Sequence, residues 1–86
     1  MKKELLIDYL NNLTIPDLKR IALKENISLS DEDANTLLYY LKNHYNDILY
    51  NPDIIFNEIK TKINYSLYEN LLKLYHNYKF IIDKIK

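Results

Sequence analysis

Glycine is missing from this 86-residue chain, and so are cysteine, tryptophan, valine and glutamine. Without glycine there is no phosphate-cradling loop and no dinucleotide-binding turn, since both rely on backbone freedom and close approach that other residues do not allow. Without cysteine there is no disulfide staple, no thiolate metal ligand and no thiol nucleophile. Long apolar runs are lacking too. The longest, Leu37–Leu41, has five residues, against the ~20 that cross a bilayer. Met1-Lys2-Lys3-Glu4 leads into a short amphipathic run with an acid inside it, unlike a signal peptide. Neither charge dominates, because 12 Lys and Arg face 12 Asp and Glu. Binding to nucleic acid draws on clustered positive charge, so this balance disfavours it. A soluble cytoplasmic protein is the expectation.

What is present is aliphatic and aromatic. The chain has 15 Leu, 12 Ile, 9 Tyr and 2 Phe, and 48% of its residues are hydrophobic. Ile, Asn, Lys, Tyr and Phe together make up 45 of the 86 residues. These are the residues of AT-rich codons, which points to an AT-rich genome, bacterial or that of a mobile element. The many tyrosines are therefore not in themselves a sign of a binding surface.

Apolar spacing is helical nearly throughout, and three Ser/Thr-x-x-Asp/Glu starts punctuate it: Thr14–Asp17, Ser30–Asp33 and Ser66–Glu69. In each, a side-chain oxygen meets an orphan backbone N–H, and the acid faces the positive end of the helix dipole. The first helix is expected over Lys2–Asn11, with Leu6, Tyr9, Leu10 and Leu13 on one side. Thr14 opens the second, with Pro16 in its first turn and Leu18, Ile21 and Ala22 inward. Asn26 closes it in the left-handed conformation that glycine would usually supply, and Ile27 and Leu29 plug into the core. Ser30 starts the third helix, carrying Ala34, Leu37, Leu38, Leu41 and Tyr45; residues 46–51 read as a loop anchored by Ile48 and Leu49. Asn51-Pro52-Asp53 begins the fourth, with Ile55, Phe56, Ile59 and Ile63 as its stripe. The last helix, capped by Ser66 or Asn64, runs to about Ile85. Its residues Leu67, Leu71, Leu74, Tyr78, Ile81 and Ile85 recur at alternating steps of four and three, a heptad-like seam. Tyr68, Leu72, Tyr75 and Ile82 form a second stripe beside it. The fold expected is a single all-α domain over residues 1–86, a compact bundle of four to five short helices. The long C-terminal helix is its spine: its broad apolar face makes it either the central strut, packed by helices on two sides, or a helix part of which meets a partner chain, and the burial needs of so small a bundle favour the strut.

No constellation of catalytic residues emerges, and the expectation is that the protein is not an enzyme. Asp31, Glu32 and Asp33 are adjacent, so their side chains fan around a helix start instead of converging on one atom. Neither His44 nor His76 is read as having an Asp, Glu or His at i±3 or i±4 to build a metal site, so neither a metal nor any other cofactor is expected. Ala22, Asn26 and Ile27 fit positions of a helix-turn-helix, but the reading helix would then present three acids to the phosphates. The string Leu13–Ala22 with Asn26-Ile27 resembles the opening of the helix–extended-loop–helix modules of the SAP and Rho N-terminal type. That resemblance implies nucleic-acid binding, for which Lys19, Arg20 and Lys24 are the local basic cluster.

From Leu13 to Phe80 the layout also resembles a small YqfT-like family of uncharacterised helical proteins from low-GC Gram-positive bacteria. The residues that carry it are Leu13-Thr14, Asn26–Ser30, Ala34, Leu38, Leu41, Asn46–Tyr50, Ile59 and the Leu/Tyr-rich final helix. The resemblance implies a helical fold and brings no activity with it.

The functional expectation is a non-enzymatic protein–protein interaction module, an adaptor or inhibitor, that binds a protein partner or itself through a Tyr/Leu-rich helical surface. Tyr39, Tyr40, Tyr68, Tyr75 and Tyr78 are its candidate contacts, since tyrosine offers large contact area at low entropic cost. The alternative is a weak nucleic-acid-binding helical domain that uses Lys19, Arg20 and Lys24.

Overall fold

Helix starts and stops written into the chain account for most of the architecture. The computed structural model describes residues 3–85, and of Ile85 the backbone only. It is all-α, with six helices among the described residues: α1 Lys3–Asn12, α2 Ile15–Lys24, α3 Asp31–Asn43, α4 Tyr45–Tyr50, α5 Pro52–Lys60 and α6 Tyr65–Ile85. Lys2, expected in the first helix, and the Ile85 side chain, expected at the end of the seam, lie outside the described residues.

Thr14 and Asp17 form a reciprocal capping box at the start of α2. The Asp17 N–H donates to Thr14 Oγ1 at 3.3 Å, and the Thr14 N–H donates to Asp17 Oδ2 at 3.1 Å. Ser30 caps α3, its Oγ accepting from the Asp33 N–H at 3.1 Å. At the last helix Asn64, not Ser66, is the cap: its Oδ1 accepts from the Leu67 N–H at 2.8 Å and its carbonyl from the Tyr68 N–H at 3.0 Å. Ser66 lies inside the first turn. Asn26 has φ of 60°, the left-handed turn that ends α2, and the Ile27 N–H then reaches back to the Ala22 carbonyl at 2.8 Å.

The element missed in the sequence is α4, where a loop was expected. No side chain caps its start; the His44 carbonyl accepts the first backbone bond, from the Ile48 N–H at 3.0 Å. Burial of Leu49 ties this six-residue helix to the bundle. So short a helix is stable through tertiary packing and not through its own propensity.

The core forms where α2, α3, α5 and the start of α6 converge. Ala22, Ile27, Leu37, Tyr40, Ile55, Ile59 and Leu67 are buried together, with Leu18, Leu29, Ile48, Ile63, Leu71 and Leu74 packed against them. Leu10 and Leu13 are buried at the end of α1 and just beyond it, and Ala34 has no exposed surface at all. Tyr9 and Ile21 depart from their expected inward positions and are exposed. Both line an open groove of about 380 Å³ that runs between α1 and α2 beside Leu13 and Arg20. Along this groove Tyr9 and Ile21 stay at the surface, while Leu10 and Ala22 of the same two stripes are buried.

Candidate functional site

The long helix α6 divides into two unlike halves. In its first half Leu67 and Tyr68 are buried, and Leu71 and Leu74 pack on the core. The same seam then continues past the core. Tyr78 is 45% exposed, Phe80 61% and Ile81 42%, while Ile82 on the second stripe is half-buried. The strut and the free apolar face that the sequence set as alternatives are thus successive parts of one helix.

Contacts around this second half are polar at the rim. The Tyr78 hydroxyl donates to Glu25 Oε1 at 3.1 Å and ties the fourth turn of α6 to the end of α2. That hydrogen bond, with the Glu25 charge and slight burial, holds the Tyr78 phenol above its ordinary pKa. Leu23, two residues before Glu25, is exposed as well. Lys79 donates to Asp83 Oδ2 at 3.1 Å one turn along, and the Lys84 ammonium lies over the Phe80 ring, 6.0 Å from its centroid. An apolar centre with charged neighbours is the usual layout of a protein interface.

The five candidate tyrosines do not form one surface. Tyr40 is 2% exposed and Tyr68 8%, so both are core side chains and drop out as partner contacts. Each is in phase with a core leucine: Tyr40 lies one turn after buried Leu37, and Tyr68 one turn before Leu71, which packs on the core. The Tyr40 hydroxyl donates to Glu58 Oε1 at 2.8 Å across α3 and α5. Its phenol is pushed up to about 12, first by burial and then by the bond to Glu58 and that carboxylate's charge. The Lys60 ammonium lies over the Tyr68 ring at 5.7 Å. Tyr75 is half-buried, edge-on to Phe56 with ring centres 5.2 Å apart, and its buried hydroxyl has no hydrogen-bond partner among the described residues.

Tyr39 and Tyr78 remain at the surface, and they have different neighbours. Tyr39, 54% exposed, stands edge-on to Tyr40 and beside a groove lined by Asn35, Thr36, Glu58 and Lys62. Tyr78 faces Glu25. Only Tyr78 belongs to the apolar end of α6; Phe80, Ile81 and Leu23 were not among the candidate contacts. Ile81 already stood on the seam read from the sequence but was not carried into the candidate contacts, and Phe80 lies off that phase.

The basic cluster is interspersed with acids. Lys19 donates to Asp31 Oδ1, and Arg20 to Asp17 Oδ1. The Arg20 bond, followed by the bonds from Thr14, lowers the Asp17 carboxyl below its ordinary pKa. Lys24 lies with Arg20 and Asp17 along the groove between α1 and α2. In the first turn of α3, the Asp31 carboxylate takes Lys19, and the Asp33 backbone N–H donates to the Ser30 cap. His44 Nδ1 lies 3.4 Å from Asp47 Oδ2, an i, i+3 neighbour that the sequence reading passed over. Among the described residues no group of three or more His, Cys, Asp or Glu is placed to hold a metal ion, and no helix is long and apolar enough to cross a membrane.

No protein-family model, curated protein or solved structure matches the chain.

Proposed function

We propose that this chain is a non-enzymatic interaction module of the cytoplasm whose docking surface is the second half of α6. The observation that carries the reading is the continuation of the α6 seam beyond the core, through Tyr78 to exposed Ile81, with Phe80 beside it. The occupant it suits is an amphipathic helix of a partner protein, laid along α6 so that its apolar stripe covers Tyr78 and Ile81. Lys84 at the margin favours a partner with an acidic flank. Grouped aromatic and aliphatic anchors rimmed by charge are the usual centre of binding energy in such contacts.

Support for the nucleic-acid reading is weaker. Lys19 and Arg20 already meet Asp31 and Asp17, so they offer phosphates little uncompensated charge.

The test pairs light scattering on the intact protein with affinity capture by wild type and by an Ile81→Glu variant. The wild type is expected to retain a specific protein partner in the capture, and the variant to lose it while keeping its helical content and melting temperature. Each anchor should account for about tenfold or more in affinity. A variant that binds as well as wild type refutes the reading. A tight homodimer in the wild type replaces the foreign helix with a second copy. Binding that collapses with salt and with Lys19→Glu/Arg20→Glu/Lys24→Glu would restore nucleic acid as the partner.

A further inference from the structure

Five of the six helices leave an apolar cavity at their meeting point. Its volume is about 150 Å³, and its walls come from Leu18 of α2, Leu41 of α3, Ile48 of α4, Phe56 and Ile59 of α5 and Leu71 of α6. Tyr40 also borders it, with its hydroxyl engaged by Glu58 at 2.8 Å. The composition explains why the space stays open. The chain has no tryptophan and only Met1 as methionine, so it lacks the bulkiest filler and the flexible side chain that fills irregular gaps. A junction of five helices cannot be closed by turning any one branched aliphatic side chain, because each helix is held by its own packing elsewhere.

We propose that this cavity is a binding site for a small uncharged hydrocarbon-like molecule, a single aromatic ring or a short branched alkane. Size sets one limit: the space opens to solvent between half-buried side chains, and its volume of about 150 Å³ is of the order that admits benzene or xenon. Chemistry sets the other. The walls are hydrocarbon apart from a phenol already hydrogen-bonded, so a ligand's hydroxyl or carboxylate would be buried without a partner. Phe56 and Tyr40 both line the space, so an aromatic ligand would find aromatic neighbours there. Entry needs no global unfolding, since Leu18, Leu41, Ile48, Phe56 and Leu71 are only partly buried and the cavity lies just beneath them. The site is separate from the exposed end of α6 and does not depend on a docking role there.

Benzene titrated into the folded 86-residue chain tests it, read by methyl chemical shifts and by melting temperature. Saturable shifts are expected at the Leu18, Leu41, Ile48, Ile59 and Leu71 methyls, together with a higher melting temperature. Phenol should bind about tenfold or more weakly, because its hydroxyl loses water and gains nothing. Ile48→Phe and Leu41→Phe are two independent ways to fill the space, and whichever folds should lose the response. Shifts that fail to saturate, or that centre on exposed Leu5, Leu23 and Ile54, overturn the proposal. So does a folded filling variant that binds benzene as wild type does. If neither variant folds, the wild-type methyl map and the benzene–phenol contrast decide the question.

Discussion

Replacing Tyr40 by Phe isolates one bond that links α3 to α5. The ring is 2% exposed, and its hydroxyl donates to Glu58 Oε1 at 2.8 Å. Phe preserves the packed ring and removes only the O–H. A hydrogen bond to a charged acceptor contributes about 1.5–3 kcal/mol net. Glu58 is itself exposed, so water takes over its carboxylate in the variant. The loss should therefore fall near the lower end, about 1.5 kcal/mol at neutral pH, where each kcal/mol corresponds to ~4–8 °C in Tm for a domain of this size. A pH signature accompanies it. The phenol titrates near 10.0 in the unfolded chain and is pushed up to about 12 in the fold. Between those values the unfolded state has released its proton and the native state still holds it, so stability falls as pH rises through the window. Below pH 10 the contribution is complete. Tyr78, raised by Glu25, adds a trend of the same sign, but it is common to both proteins and cancels in the comparison. Urea unfolding of wild type and Tyr40→Phe, followed by helical circular dichroism from neutral pH up to about 12, gives the difference directly. It should be flat up to pH 10 and shrink above it. A variant as stable as wild type at neutral pH, or a difference unchanged across the alkaline window, would refute the account of this bond.

Five further substitutions at four positions probe the caps and one orphaned hydroxyl. Thr14→Ala removes half of the capping box and should cost about 1 kcal/mol in urea unfolding. The lowered Asp17 carboxyl contributes stability above its ordinary pKa of 3.8 that is lost as pH falls through its value in the fold, so Asp17→Asn should flatten the acid limb of the stability profile. Asn26→Ala should cost about 1 kcal/mol in the same assay, whereas Asn26→Gly should be neutral or stabilising, because Asn26 has φ of 60°. Tyr75→Phe discards a buried hydroxyl without a partner among the described residues; the melting temperature should hold or rise, and a fall would mean that the hydroxyl is satisfied in solution.

Where a local device sets the structure, the sequence disclosed it. Thr14, Pro16, Asp17, Ser30 and Asn26 each act within three or four residues of themselves, and each was legible from its neighbours. The short α4 was not, since no residue caps it and its helicity depends on burying Leu49 against elements distant in sequence. Tyr39 and Tyr40 show a similar limit. The pair is chemically identical, yet one is core and the other surface. Only the phase relative to Leu37 separates them, and attention to residue type instead of phase assigned both to the surface. The α1–α2 groove eluded the sequence for a different reason. The apolar spacing that places Tyr9 and Ile21 on inward faces carries no information about how far two helices stand apart.

The exposed end of α6 follows from lengths more than from composition. At ~1.5 Å per residue, its 21 residues make a rod of about 31 Å, which matches the 30 Å longest extent of the whole fold. The partners available are shorter: α2 has 10 residues, α3 has 13 and α5 has 9, or roughly 13–20 Å each. Helices of that length packed around one end leave a remainder of two to three turns. In an isolated bundle this remainder would be polar, because an exposed apolar stripe contributes nothing to folding and promotes association. Here the seam instead keeps its alternating steps past Leu74, through Tyr78 to Ile81, while the charged residues stand at its margins. The pattern outlasts the core that requires it, and the docking surface proposed above would account for the excess.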